Sequence, residues 1–172
     1  MIMPRGQPLL LPVNPVFMGA SLFAALAINM LPLGRVAWLP DLLMLLLAFW
    51  SVHQPQRVGM GLAFVFGLCM DVQHSSLLGQ HALVYCLLLF GTRSVRRRLL
   101  WFSLPVQALQ MLPLFFLAHA VALLVRMIGG GDFPGWSVAI APGVEALLWP
   151  LASGLLLAPQ RRAPDADENR PL

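Results

Sequence analysis

Lysine is absent from this 172-residue chain, and charge of either sign is scarce. Eleven arginines and seven acidic residues make up 10% of the residues, against 59% hydrophobic. A soluble domain is about 25% charged and about 45–50% apolar. Too few polar side chains remain here to cover a water-facing globule, and the apolar load also excludes disorder outside a short tail. The two cysteines, Cys69 and Cys86, lie in apolar runs without CxxC or Cys/His zinc spacing, and read as small core residues. No G-x-S-x-G motif surrounds Ser75 or Ser76. A pI near 10.5 would suggest nucleic acid in a soluble protein. In an apolar chain it reflects arginine concentrated in cytoplasmic loops instead, so no nucleic-acid partner is expected.

What is present is one apolar run after another, with a mean hydropathy of +0.78. At roughly 20 residues per span, the length accommodates six. The expected fold is an all-α membrane protein of six transmembrane helices. Residues 1–14 form a Pro-rich entry segment without a signal-peptide pattern, 15–158 the six-helix domain, and 159–172 a polar, disordered cytoplasmic tail. The spans are expected at 15–31, 39–52, 58–70, 77–91, 104–128 (interrupted by Pro113) and 142–158. Spans two and three have apolar cores of about 13 residues, roughly 20 Å, against a hydrocarbon core of about 30 Å. A re-entrant hairpin is the rival there. It would place His53 to Arg57 near the midplane at high cost, so two short spans are preferred.

Arginine sets the orientation. With six spans and the N-terminus inside, Arg5, Arg57, Arg93, Arg96, Arg97, Arg98, Arg161, Arg162 and Arg170 are cytoplasmic, and only Arg35 and Arg126 face outward. That bias directs both termini inward. Asp41, Asp71, Asp132 and Glu145 all fall at outer span ends.

Ionisable groups inside a membrane are functional candidates by default. Asp41 follows Pro40 at a helix start, where a carboxylate caps the helix and complements its dipole. Gly59, Ala63, Gly67 and Asp71 are spaced by four and share one helix face, a pattern that allows close packing in lipid. Ser21, Ala25 and Asn29 form a similar row in span one. Two readings of these stripes stay open: helix packing with polar contacts, or a partner or ligand site. His119, Ala122 and Arg126 form a polar seam or line a small-ligand pocket. An aspartyl hydrolase would need two carboxylates sharing a proton, and a metal site a ligand spacing that His74, His81 and Asp71 do not match. No catalytic group, metal or cofactor is expected. Arg93, Arg96, Arg97 and Arg98 set topology, and they offer contacts to anionic lipid headgroups or to an acidic cytoplasmic partner.

Pro40-Asp41 opens a run that ends in Phe49-Trp50, and Gln54-Pro55-Gln56-Arg57-Val58 follows before Gly59. Phe64-Val65-Phe66-Gly67 leads to Asp71 and Leu78-Gly79, and Leu147-Leu148-Trp149-Pro150 stands near the end. In this order of features the chain resembles the rod-shape-determining MreD family of bacterial inner membranes. The resemblance implies a non-enzymatic subunit of the cell-elongation complex, supporting lateral peptidoglycan synthesis. Its implied direct partner is MreC, with MreB, RodA and a penicillin-binding transpeptidase reached through the complex. Membrane lipids are the other implied contact, and self-association stays open. The family is also similar to the six-helix substrate-binding subunits of energy-coupling-factor transporters, which implies the alternative of a small-molecule-binding transport subunit.

Overall fold

A computed structural model describes residues 13–31, 39–74 and 77–160. The entry segment and tail (1–12 and 161–172), with Arg5, Arg35, Ser75, Ser76, Arg161, Arg162 and Arg170, lie outside the described residues. Six α-helices follow one another: α1 (Pro15–Asn29), α2 (Leu42–His53), α3 (Met60–His74), α4 (Gln80–Leu99), α5 (Leu104–Ile128) and α6 (Ile140–Leu157). Short 3-10 turns, Trp136–Ala139 and Ala158–Gln160, flank α6.

Local chemistry sets where several helices begin. Asn14 accepts a hydrogen bond from Val16 N at 2.9 Å, with Pro15 at the first helical position. Asp41 does the same for α2, accepting from Met44 N at 2.8 Å. Gly79 precedes α4 with φ of +99°, a left-handed conformation that glycine adopts without steric cost.

Cross-helix pairs give the packing directions. Asn29 meets Asp41 and Ser21 meets Trp50, so α1 and α2 are antiparallel. Asp71 with His81, and Met60 with Cys86, make α3 and α4 antiparallel. His119 with Glu145, and Gln107 with Trp149, do so for α5 and α6. Asp41 with Tyr85, and Ser51 with Thr92, run α2 and α4 in the same direction. The helices alternate up and down. α2 is the interior helix, packed against α1, α4 and α6, with nine of its 12 residues buried. Phe49 and Trp50 of α2 meet Trp149 of α6 and Phe17 of α1 edge-on or tilted, at ring separations of 6.1 and 6.3 Å.

The described residues are all-α with six helices, but the expectation of six transmembrane helices is overturned. Among the described residues, only two helical stretches are long and apolar enough to cross a membrane: Leu104–Ile128 and Trp136–Gln160. Helices α1, α2 and α3 have 15, 12 and 15 residues, roughly 18–23 Å against a hydrocarbon core of about 30 Å. α4 has 20 residues, but its last two turns carry Arg93, Arg96, Arg97 and Arg98. Counting apolar runs overstated the spans for two reasons: α1 and α3 are apolar but short, and α2 is both short and enclosed by protein.

Candidate functional site

Up-and-down packing separates the charges. One end of the bundle collects Asp41, Asp71, Asp132 and Glu145, with Arg126; the other collects Arg57, Arg93, Arg96, Arg97 and Arg98.

At the acidic end, Asp41 is the hub. Its Oδ1 accepts from Asn29 Nδ2 at 2.6 Å and from Met44 N at 2.8 Å, and its Oδ2 accepts from the Tyr85 hydroxyl at 2.6 Å. Its backbone N–H donates to Glu145 Oε1 at 2.9 Å, and that oxygen also lies 2.9 Å from His119 Nε2. Five helices thus meet at two carboxylates. Glu145 is fully buried, and its Oε2 has no hydrogen-bond partner among the described residues. The sixth helix joins through Asp71, whose Oδ1 accepts from His81 N at 2.8 Å and lies 2.8 Å from His81 Nδ1. Asp71 Oδ2 accepts from Gly79 N at 2.8 Å. The His81 ring stands edge-on to Tyr85 and stacks on His74 at 5.4 Å. Burial pushes the Asp71 carboxyl up. Hydrogen bonds from the backbone and ring of His81 and from the Gly79 backbone outweigh this and hold it below the usual carboxylate range.

The Gly59–Ala63–Gly67–Asp71 row lies against α4. A Cβ on Gly67 would collide with the Ala82 backbone, whereas one on Gly59 would reach Arg93 Nη2 only at 3.9 Å. Ala63 is fully buried. Asn29 and Asp41 are half-buried and bonded to each other.

At the arginine end, the four clustered arginines divide. Arg93 donates to the carbonyls of Pro55 and Val58, and Arg96 to that of Val52. Arg96 closes the end of α2, where unsatisfied carbonyls and the helix dipole favour a cation, and Arg93 holds the loop that follows it. Arg97 and Arg98 stay exposed. Ser51 and Thr92 hydroxyls pair at 2.7 Å in the interior nearby.

Among the described residues, no group of three or more His, Cys, Asp or Glu is placed to hold a metal ion. Asp41 thus accepts from Asn29, Met44 and Tyr85, and Asp71 from His81 and Gly79. A shallow concavity of about 530 Å³ on α5 is lined by Leu112, Pro113, Phe116, Leu117 and Ala120, all apolar. It lacks the convergent polar groups of a ligand pocket.

Sequence reasoning missed Tyr85 and the pairing of His119 with Glu145. The signal for the first was available. Tyr85 is the chain's only tyrosine, set in an apolar run, and a buried phenol needs a hydrogen-bond partner.

The family model for the rod shape-determining protein MreD matches residues 11–158, which include all six helices and both charged ends. This chain belongs to the MreD family. It is also similar to the rod shape-determining protein MreD of Haemophilus influenzae, with 29% identity over 123 residues, 69% of this chain and 74% of that protein. No solved structure matches the chain. Membership makes this a membrane-associated protein with a role in cell shape, and the family is non-catalytic.

Proposed function

We propose that the protein is a scaffold subunit of the cell-elongation complex in a bacterial inner membrane, binding MreC directly and MreB, RodA and the penicillin-binding transpeptidase through the complex. Family membership over 11–158 is the observation that carries this reading. The interior supports it. The buried polar groups tie helices to one another, and the exposed surface is largely apolar, as with Val16, Phe23, Val65, Val72 and Leu147. In lipid, such surfaces associate by close packing and polar contacts.

In this reading α5 and α6 cross the membrane as a hairpin, with the arginine end in the cytoplasm. Tryptophan exposure favours it. Trp50 and Trp149 are fully buried, whereas Trp101 and Trp136 are 90% and 86% exposed. The exposed pair precede α5 and the α6 stretch and so stand at opposite ends of the hairpin. That is where tryptophan concentrates in membrane proteins. Arg97 and Arg98 precede α5, and Arg161 and Arg162 follow α6, so both flanks of the hairpin are basic. α1 begins at that same end, which directs both chain ends to the cytoplasm.

Depletion in a rod-shaped host tests the role. The expected result is rounded cells, restored by the full chain, and co-purification of MreC. Rounding without MreC in the purified complex overturns the direct partnership, and unchanged shape overturns the role. Reporter fusions after Leu172 and in the Arg93–Arg98 segment are expected to read cytoplasmic, and one at Gly129–Gly135 periplasmic. A periplasmic signal after Leu172 overturns the hairpin orientation.

A further inference from the structure

The corner between α4 and α5 combines two features that the rest of the arginine end does not. Arg93 and Arg96 are committed to the carbonyls of Val52, Pro55 and Val58, but Arg97 and Arg98 project from the surface. Directly after them Leu100, Trp101 and Phe102 are 42%, 90% and 43% exposed. An exposed Trp-Phe pair beside two exposed guanidinium groups is suited to a boundary between headgroups and hydrocarbon. α5 starts two residues later, at Leu104, and runs for 25 residues. If α5 crosses, the corner must lie at headgroup depth. Among the described residues no carboxylate stands at this end of the bundle to neutralise it.

We infer that residues 97–102 form a binding site for anionic phospholipid, in which Arg97 and Arg98 take the lipid phosphate and Trp101 with Phe102 holds the acyl-headgroup boundary. The inference rests on the hairpin reading above and adds to it a lipid class and the residues that select it. The guanidinium fork matches phosphate oxygens. Attraction to an anionic leaflet strengthens binding by about fivefold per arginine, and it is screened within a Debye length.

The test uses the full chain in vesicles of phosphatidylcholine and phosphatidylglycerol, with either one or the other lipid brominated. The Trp101 signal is isolated by difference against Trp101→Phe, and the Trp136 signal against Trp136→Phe. Trp101 is expected to be quenched several-fold more per mole by brominated phosphatidylglycerol. Arg97→Gln with Arg98→Gln should bring the ratio to parity, and the paired Lys variants should retain most of it. High salt should lower it. Parity in the unaltered chain overturns the site. If the paired Gln variants then still lose cell shape, the two arginines face an acidic protein rather than lipid. Trp101 unquenched by either lipid while Trp136 is quenched also overturns the site but leaves the hairpin standing. Both tryptophans unquenched overturns the hairpin, and the site with it.

Discussion

Helices α2 and α5 are both almost wholly apolar, and the fold uses them in opposite ways. α2 has 12 residues and buries nine; α5 has 25 and buries four, Gln107, Met111, Phe115 and Ala118, along a single stripe. The first is hydrophobic all round because protein surrounds it. The second is hydrophobic all round because only one face meets protein and the rest suits lipid. Equal hydropathy therefore carries two meanings, and length separates them. α2 is roughly 18 Å long and α5 roughly 38 Å, against a hydrocarbon thickness of about 30 Å. Polar content separates them further. α2 is pinned at both ends, by the Asp41 cap and by Arg96 on the Val52 carbonyl. α5 carries Pro113 and is tied through Gln107 and His119 on its protein-facing side.

The largest expected effect tests whether interior packing is as tight as that contrast requires. Gly67→Leu places a side chain where even a Cβ collides with the Ala82 backbone. The variant should yield no monodisperse protein on size exclusion after detergent extraction, while Leu62→Phe on the same helix remains foldable. Normal yield of Gly67→Leu would mean that α3 and α4 are not in contact there.

Next is the direct comparison of the two helices. Leu47→Ala removes a fully buried side chain from α2 and should cost about 2–5 kcal/mol. Leu109→Ala on α5, 68% exposed, should stay within about 0.5 kcal/mol. Denaturant titration in mixed micelles measures both. Equal losses would erase the distinction between the helices.

Tyr85→Phe removes the donor to Asp41 Oδ2 without changing shape. An orphaned carboxylate oxygen should cost about 1–3 kcal/mol, read in the same titration. A neutral result would show that water replaces the phenol and that the acidic end is wetter than the α2 interior.

The smallest effect concerns pH. Asp71 is held below the usual carboxylate range, so its contribution is present above the unfolded value of about 3.9. It is lost as pH falls through the lower folded value. Unfolding curves from about pH 5 downward should show stability falling with acid, with a shallower slope in Asp71→Asn. An unchanged slope would mean that other carboxylates carry the acid response.

Much of the site was legible before any coordinates. Pro40-Asp41 announced a capped helix start, and Asp41 does cap α2. The four-residue spacing of Gly59, Ala63, Gly67 and Asp71 announced one shared face, and Gly67 and Asp71 meet α4 on it. The role of the arginines was legible only in aggregate. Nothing in Arg93, Arg96, Arg97 and Arg98 as letters distinguishes two that hold the end of α2 and the loop after it from two that face outward, because the choice depends on which carbonyls lie within reach.

By itself, the sequence determined that the chain is helical, apolar beyond what water tolerates, polarised into acidic and basic ends, and a member of its family. Each of these follows from residue type and order alone. Tertiary structure decided which apolar helices are interior, that two rather than six are suited to cross, and that Asn29, Asp41, Tyr85, His119 and Glu145 meet in one hydrogen-bonded cluster. The physical reason is that lipid chains and a protein core are alike to an apolar side chain. Hydropathy records the preference for leaving water and not the destination. The destination is set by contacts between residues as far apart as Asp41 and Glu145.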